Sequence, residues 1–281
     1  MAIQLATKFL PYVDEKFTTE SKISLITNQD FTWTGAHTVK VYKITTAPMN
    51  DYDRAGTGTG ATGSRYGAIA GLDADTEEFT LKKDRSFTFA IDKLDTDETA
   101  AQLQGAAALS RQLREVVIPE VDTYTMGVMC ENAGNKPAAA ALTAENIYDE
   151  ITKASKALDD AECPEAGRVL VVTPETYYLM KHCPDIVLDT ETGADMRIKG
   201  VIGNLDGAAV MKVPAIRLPN KFGFMLCHPS ATVAPKKLED YKLHQDPPGI
   251  SGSLAEGRVC YDAFVLDNKA KAIYYQEIAG E

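Results

Sequence analysis

The longest regular hydrophobic pattern in the chain runs from Asp95 to Asn132 and has the period of an α-helix. Its apolar residues recur at steps of three and four positions, so they would line one face of a helix. They are Leu103, Ala106, Leu109, Leu113, Val117, Val121, Tyr124 and Val128. The pattern predicts a rod of roughly 35 residues and about 50 Å, which is longer than the roughly 30 Å width of a small domain.

The predicted helix has a clear start and an internal interruption. Asp95 is expected to cap it, with Glu98 in capping-box spacing. Pro119 has no N–H to bond to the carbonyl of Glu115, and it disfavours helical geometry at Ile118. The sequence therefore predicts a bend or a break at Ile118–Pro119.

Before this helix the apolar period changes to two, which indicates strands. Thr38–Ile44, Glu77–Asp84 and Arg85–Asp92 each alternate between apolar and polar positions. The first two are separated by about 29 residues rich in Gly, Thr, Ala and Asp, a connection that is long for a compact domain. The simplest interpretation is a long hairpin with a Gly-rich tip at residues 56–63.

After the helix the pattern becomes that of an α/β block over about residues 138–228. Thr143 is expected to cap a helix, and Arg168–Thr173 is a continuous apolar run that predicts a buried strand. Pro174 then opens a short helix, and Phe222–His228 is another strand. This block contains enough apolar residues to bury a core of its own.

The two ends of the chain differ in character. Residues 1–36 have only sparse apolar anchors and are predicted to be an arm that another surface must order. The tail, residues 229–281, is strand-like. Within it, Phe264–Leu266 and Ala270–Tyr275 are predicted to form a hairpin around Asp267 and Asn268.

Composition narrows the possible functions. The net charge is −11 and the basic residues form no stripe, which argues against sequence-specific DNA binding. There is no apolar run near 18 residues, so no membrane span is predicted, and the N-terminus lacks the pattern of a signal peptide. The five cysteines are scattered, as expected for buried thiols in a reducing cytoplasm.

Candidate chemistry is sparse. Residues 58–63 match G-x-G-x-x-G, but no apolar strand precedes them and no helix pattern follows, so we interpret them as a loop tip. Zinc could join His182-Cys183 to Cys227-His228 only if adjacent side chains converged, which neither helix nor strand geometry favours. Cys183 carries no mark of a nucleophile beyond its residue type. We predict no catalytic, cofactor-binding or metal-binding residue.

Five stretches, taken in this order, resemble the major capsid protein of tailed bacteriophages, which has the Hong Kong 97 fold. Two resemble the rising and falling sides of that family's extended loop, one its axial domain, and two the return into its peripheral domain. They are VKVYKITTAPMNDYDR (39–54), TEEFTLKKDRSFTFAIDKLDTDET (76–99), AGRVLVVTPETYYLM (166–180), FGFMLCHPSATVAPKKLEDYKLHQDPP (222–248) and EGRVCYDAFVLDNKAKAIYYQ (256–276). The resemblance covers nearly the whole chain.

The resemblance implies an α+β, Hong Kong 97-like capsid fold with a defined domain order. An N-terminal arm would occupy residues 1–36, and an extended β-hairpin loop residues 37–84. The peripheral domain would combine residues 85–137, including a spine helix at 95–132, with residues 229–281. The α/β axial domain would be residues 138–228.

The function that the resemblance implies is that of a major capsid protein of a tailed double-stranded DNA phage. Copies would form the pentamers and hexamers of an icosahedral shell around the genome, located in the virion and assembled in the host bacterial cytoplasm. The extended loop of one subunit would lie across a neighbour's spine helix, and the arm would also reach a neighbour. The assembly residues expected on this basis are Tyr52, Arg54, Arg65, Tyr66, Phe9, Tyr12 and Phe17.

The partners expected from the resemblance are further copies of the chain, a portal and packaged DNA held without sequence-specific binding. Because the chain opens directly on the arm, a separate scaffolding protein is expected. No covalent cross-link is predicted, since nothing distinguishes Lys82, Lys83 or Lys93 near the base of the loop.

Two other functions remain open at this stage. An encapsulin-like nanocompartment shell would have the same fold with an enzyme as cargo. A cytoplasmic α/β enzyme would use the block at residues 138–228, and it would require a pocket with perturbed ionisable groups.

Overall fold

The computed structural model describes residues 21–28, 38–44, 46–55, 65–67, 71, 74–98, 105–186 and 201–279. The chain divides into two compact units. The smaller unit is Trp33–Leu81, and the larger contains the rest of the chain.

Helices and strands both contribute to the described structure. The helices are α1 (Lys93–Glu98), α2 (Gly105–Gln112), α3 (Ile118–Glu131), α4 (Ile147–Asp160) and α5 (Pro174–His182). The strands are β1 (Thr38–Ile44), β2 (Ala74–Thr80), β3 (Lys83–Asp92), β4 (Val169–Val172), β5 (Val201–Leu205), β6 (Ala208–Lys212), β7 (Phe222–Cys227), β8 (Thr232–Val233), β9 (Lys236–Gln245), β10 (Gly252–Tyr261), β11 (Phe264–Val265) and β12 (Ile273–Glu277).

The smaller unit contains the antiparallel pair β1–β2. The register runs from Thr38 opposite Thr80 to Ile44 opposite Ala74, which confirms the predicted pairing of these segments. The predicted strand Glu77–Asp84 is wrong in its extent, because β2 ends at Thr80 and β3 begins at Lys83. Alternation continues through both strands, so the period of two could not locate this boundary.

The larger unit contains a three-stranded antiparallel sheet in the order β3-β10-β9. In its middle strand Gly257 lies between Phe87 on β3 and Tyr241 on β9. The two rings stack across it with their centroids 6.2 Å apart. A Cβ on Gly257 would lie 2.3 Å from the Phe87 ring, so the absence of a side chain is what lets the rings meet.

The first and last helices of the predicted long helical segment, α1 and α3, have bounds that differ from the predicted ones. The helix α1 begins at Lys93, where the Asp92 carboxylate accepts a hydrogen bond from the Leu94 N–H at 2.8 Å, so Asp92 caps α1 rather than Asp95. The strand β3 runs directly into α1, which places the last strand residue at the cap position. The helix α3 ends at Glu131, and the Asn132 N–H donates to Val128 O at 3.0 Å.

The sequence predicted a bend or a break at Ile118–Pro119, and the break is wrong, while the bend stays a prediction. Val117 and Ile118 keep right-handed helical dihedrals, and Leu113–Val117 forms a π-helical turn that joins α2 to α3. The Ile118 N–H donates to Leu113 O, five residues back. Pro119 cannot donate to the carbonyl one turn before it, and the wider turn accommodates that gap without ending the helix.

The second sheet of the larger unit has five strands in the order β12-β7-β4-β6-β5. β4 and β6 are parallel, and the other neighbouring pairs are antiparallel. Every residue of β4 and β7 is buried, and α4 and α5 pack on this sheet. The strand predictions at β4 and β7 and the helix opened by Pro174 are confirmed.

The tail contributes to this sheet, so the predicted core of residues 138–228 is completed by residues outside that range. β12 pairs with β7, while β11 pairs with β8. The predicted hairpin around Asp267 and Asn268 is therefore wrong. Asp267–Ala272 forms a 3₁₀ turn that carries the chain from one sheet to the other.

The start of α4 also lies later than predicted. Its first helical residue is Ile147, and the predicted cap Thr143 instead exchanges hydrogen bonds with Asn146. At α5 the cap is Thr173, whose hydroxyl accepts from the Thr176 N–H at 3.0 Å. This bond fixes the direction in which α5 leaves the carboxyl end of β4.

Candidate assembly surfaces

Two aromatic residues predicted for assembly lie together in the smaller unit. The rings of Tyr52 and Tyr66 meet edge to face, with centroids 5.0 Å apart. Their exposed fractions are 50% and 78%, respectively, so most of the Tyr66 side chain is open to solvent. A paired and exposed aromatic cluster of this kind is a suitable anchor for a protein contact.

The backbone holds these two stretches of the loop side by side. The Asp53 N–H donates to Arg65 O at 2.9 Å, and the Asn50 side-chain amide reaches Tyr66 O at 3.5 Å. Arg54 and Arg65 are both exposed. The structure thus brings together the four predicted loop residues. The other predicted assembly residues, Phe9, Tyr12 and Phe17, and the Gly-rich tip at 56–63 lie outside the described residues.

A groove separates the long helix from the β3 edge of the three-stranded sheet in the larger unit. It has a volume of about 130 Å³ and is lined by Phe87, Val116 and Val117, among others. Val116 is 45% exposed although it is apolar. Glu120 closes one side, because its carboxylate accepts from Arg85 Nε at 2.8 Å and from the Tyr261 hydroxyl at 3.1 Å.

A buried ion pair fixes α3 to the five-stranded sheet. The Asp122 carboxylate accepts from Arg217 Nη1 and from the Ser21 hydroxyl, each at 2.7 Å. Burial raises the pKa of Asp122, although the two donors oppose this effect. The network joins three distant parts of the chain. The apolar helical pattern gave no sign of it, since Asp122 was one polar residue among several near that stripe.

A second buried carboxylate, Asp262, directly follows β10 and accepts hydrogen bonds from α3 and from the residue before β3. It accepts from the Tyr124 hydroxyl at 2.7 Å and from the Lys82 N–H at 2.8 Å. Burial, together with this hydrogen bond, raises the pKa of Tyr124. Asp262 therefore fixes Lys82, the residue before β3, to Tyr124 of α3.

The thiols and imidazoles considered in the sequence do not form a reactive group. Cys227 is fully buried with its thiol directed to Val169 O, and burial raises its pKa. Burial also raises the pKa of Cys130 to about 12, so both thiols stay protonated and weakly nucleophilic at neutral pH. Cys183 is buried, while the His182 ring lies against Tyr178 at 4.2 Å.

Within the part of the chain that the structure describes, no cluster of three His, Cys, Asp or Glu side chains is arranged to hold a metal ion. The described helices likewise include none with the length and hydrophobicity that a bilayer crossing requires. The features that stand out are instead two surfaces, an exposed aromatic pair and an apolar groove, and the buried Asp122–Arg217 ion pair in the larger unit.

Comparison with known sequences identified no relative. No protein-family model matches the chain, and no curated protein sequence matches it.

Comparison with solved structures found similarity over nearly the full length. A structure from Mycobacterium phage Che8 is 19% identical with a TM-score of 0.75, and the match covers 98% of this chain and 97% of that one. The capsid structure of the cyanophage P-SCSP1u is 14% identical with a TM-score of 0.72, covering 99% and 94%. The asymmetric unit of the bacteriophage PhiM1 mature capsid is 11% identical with a TM-score of 0.70, covering 99% and 93%.

The similarity is thus one of architecture rather than of residues. Almost every residue of the chain has a counterpart in these structures, and few of the side chains are the same. The chain has the α+β, Hong Kong 97-like fold of these phage structures.

Proposed function

We propose that the chain is the major capsid protein of a tailed double-stranded DNA phage. Its copies assemble into pentamers and hexamers, and these tile an icosahedral shell that encloses the genome. The observation that carries this proposal is the coverage of the structural match, which includes 98% of this chain and 97% of the Che8 chain. A shared fold with an added or missing catalytic domain would leave part of one chain unmatched.

The domain roles follow from the same proposal. Residues 37–84 are the extended loop, residues 138–228 the axial domain, and residues 85–137 with 229–281 the peripheral domain. The low apolar content of the loop supports an intermolecular role, because a two-stranded hairpin in water is at best marginally stable alone. Burial against a neighbouring copy would stabilise it by about 25 cal/mol per Å² of apolar area.

The assembly contacts are proposed at two surfaces. Tyr52 and Tyr66 anchor the loop through their exposed rings, and Arg54 and Arg65 flank them with positive charge. Phe9, Tyr12 and Phe17 are proposed to anchor the arm. The receiving surface on the neighbour is the groove beside β3, where the apolar Val116 is already exposed.

Further partners belong to this proposal as well. A scaffolding protein and a portal direct assembly in the host cytoplasm, and the packaged DNA is held without sequence-specific contacts. A net charge of −11 suits containment rather than binding of a polyanion, since like charges repel. The role is structural and needs no catalytic residue.

Electron microscopy of the purified chain tests the proposal. We expect capsomers, shells or tubes when the protein is concentrated, or when it is co-expressed with the scaffolding protein from its own genome neighbourhood. A discrete monomer or dimer under all of these conditions would contradict it. Shells that enclose an enzyme instead of DNA would favour the encapsulin-like alternative.

A further inference from the structure

Two exposed lysines share one tyrosine ring at the carboxyl end of the parallel strands β4 and β6. Lys181 Nζ lies 5.6 Å from the Tyr177 ring centroid, and Lys212 Nζ lies 5.3 Å from it. Both distances are within the range of cation–π attraction. Among the described residues neither lysine belongs to a salt bridge, so their charges are held in place by the ring rather than neutralised by a carboxylate.

More positive charge lies beside this pair. The Lys22 ammonium donates to Lys212 O at 3.0 Å, and burial, followed by the charges of Lys212 and Arg217, lowers its pKa. Arg217 is neutralised by Asp122 at 2.7 Å. The exposed Glu175 opens α5 at the same end of the sheet, and the two exposed lysines, Lys181 and Lys212, outnumber it. We call this group the basic end.

The opposite end of the same strands is acidic. Asp159 and Asp160 close α4 shortly before β4 begins, and Glu165 follows in the connecting loop. Asp159 pairs with Arg168 at 2.7 Å, while Asp160 and Glu165 are exposed. The four residues of β4 separate this acidic end from the basic end by about 13 Å of strand.

We propose that the basic end of one copy docks on the acidic end of the next copy around a capsomer ring. The inference rests on the proposed function, since it concerns the contact between neighbouring copies. A rotational ring requires a heterologous contact, in which two different patches of each copy meet. Opposite charges at opposite ends of one rigid sheet provide such a pair of patches.

Packaged DNA is the competing occupant of the basic end, because its phosphates bind lysine and its bases stack on aromatic rings when they are unpaired. Local charge favours a second copy. A net charge of −11 repels DNA and a second copy alike, but the acidic end of a neighbour supplies carboxylates in a fixed position for the two lysines.

Charge reversal tests the contact. The first variant is Lys181→Glu/Lys212→Glu, and the second is Asp160→Lys/Glu165→Lys. In either variant alone, the two docking patches carry like charges, so we expect self-association to weaken at least tenfold at low ionic strength. In an equimolar mixture every contact between the two variants joins opposite charges, so association should return to that of the unaltered chain. Sedimentation velocity measures the self-association of the unaltered chain, of each variant and of the mixture.

The mixture gives the proposal a specific signature. Two variants that must alternate can close a ring of six but not a ring of five, so electron microscopy of the mixture should show hexamers without pentamers. A Lys153→Glu/Lys156→Glu variant on α4 lowers the net charge by the same amount as Lys181→Glu/Lys212→Glu and should behave as the unaltered chain. Far-ultraviolet circular dichroism confirms that each variant is folded, which the exposure of all four reversed residues favours.

Three results would overturn the proposal. One is a single variant that associates as strongly as the unaltered chain. Another is a folded mixture that fails to recover. The third is loss of duplex-DNA binding in Lys181→Glu/Lys212→Glu with unchanged self-association, which would assign the basic end to phosphate. If the mixture associates and no shell ever forms from the unaltered chain, the contact stands and the capsid proposal fails.

Discussion

The carboxylate of Asp122 lies 2.7 Å from the guanidinium of Arg217, and both side chains are buried. Asp122 is on α3, whereas Arg217 is in the 3₁₀ turn between β6 and β7, 95 positions later. The pair therefore joins the long helix to the five-stranded sheet. It also holds the first described part of the chain, since Ser21 donates to the same carboxylate at 2.7 Å.

Removing one partner of this pair should cost far more than removing both. Arg217→Met leaves a buried carboxylate without its cation, and we expect the free energy of unfolding to fall by about 3–5 kcal/mol. Asp122→Leu/Arg217→Met removes both charges, so most of that loss should be recovered. Urea denaturation of the dissociated subunit measures each value. Equal losses in the single and double variants would show that the arginine acts through packing rather than charge.

Two glycines should respond in opposite directions to the same added methyl group. A Cβ at Gly257 would lie 2.3 Å from the Phe87 ring, so Gly257→Ala should destabilise the chain by about 1–3 kcal/mol. A Cβ at Gly127, inside α3, would meet nothing within 4 Å. Gly127→Ala should stabilise the chain by about 0.5–1 kcal/mol, because alanine is the better helix former. Thermal unfolding of the two variants compares them, and a stable Gly257→Ala would contradict the stacking of Phe87 on Tyr241.

The stability of the larger unit should fall at alkaline pH through Tyr261. Burial, and then the negative charge of Glu120, raises the pKa of Tyr261 to about 12 from a usual value of 10.0. Between these values the folded state keeps the phenol proton and the unfolded state loses it, so stability decreases as pH rises. Tyr261→Phe cannot titrate. The stability difference between the parent and this variant should shrink by about 1 kcal/mol from pH 9 to pH 11. If the stability difference between the parent and Tyr261→Phe stays constant from pH 9 to pH 11, the phenol of Tyr261 is in contact with water in the folded state.

Local patterns in the sequence were sufficient to predict most of the elements. Alternation predicted β1 and its pairing with β2, and the uninterrupted apolar run Arg168–Thr173 predicted the buried strand β4. These predictions succeed because each strand carries its own period and its own burial. The Hong Kong 97-like order was recognisable for the same reason, since it depends on the sequence of elements and not on particular side chains.

The predictions that failed depend on hydrogen bonds that the pattern of apolar residues does not show. The hairpin around Asp267 was predicted because two strand-like runs lie close in sequence, yet β12 pairs with β7 and β11 with β8. At Ile118–Pro119 the local rule predicted a bend or a break, and the π turn at Leu113–Val117 keeps the helix unbroken. Pairing between distant strands decides the first outcome, and the hydrogen bond from the Ile118 N–H to Leu113 O belongs to the second. The period of the apolar residues shows neither.

The assembly residues could be predicted in kind but not in their contacts. Tyr52 and Tyr66 stand 14 positions apart, and their 5.0 Å approach depends on the register that β1 and β2 impose. Asp122, Arg217 and the basic end were not predicted at all. Lys181 and Lys212 meet at the Tyr177 ring only because β4 and β6 are parallel, which brings their carboxyl ends to one edge.

The exposed aromatic pair should matter more to assembly than to folding. Tyr66 is 78% exposed, so Tyr66→Ala removes little buried area and should lower the stability of the free subunit by at most about 1 kcal/mol. If its ring anchors the loop on a neighbour, truncation should cost about 2 kcal/mol per contact, which corresponds to a roughly 30-fold weaker association. The concentration needed for shell formation, measured by light scattering, should rise accordingly. Tyr66→Phe keeps the ring and should assemble as the parent does. Normal assembly of Tyr66→Ala would show that Tyr66 is not an assembly contact, because truncating a ring that anchors the loop must weaken association.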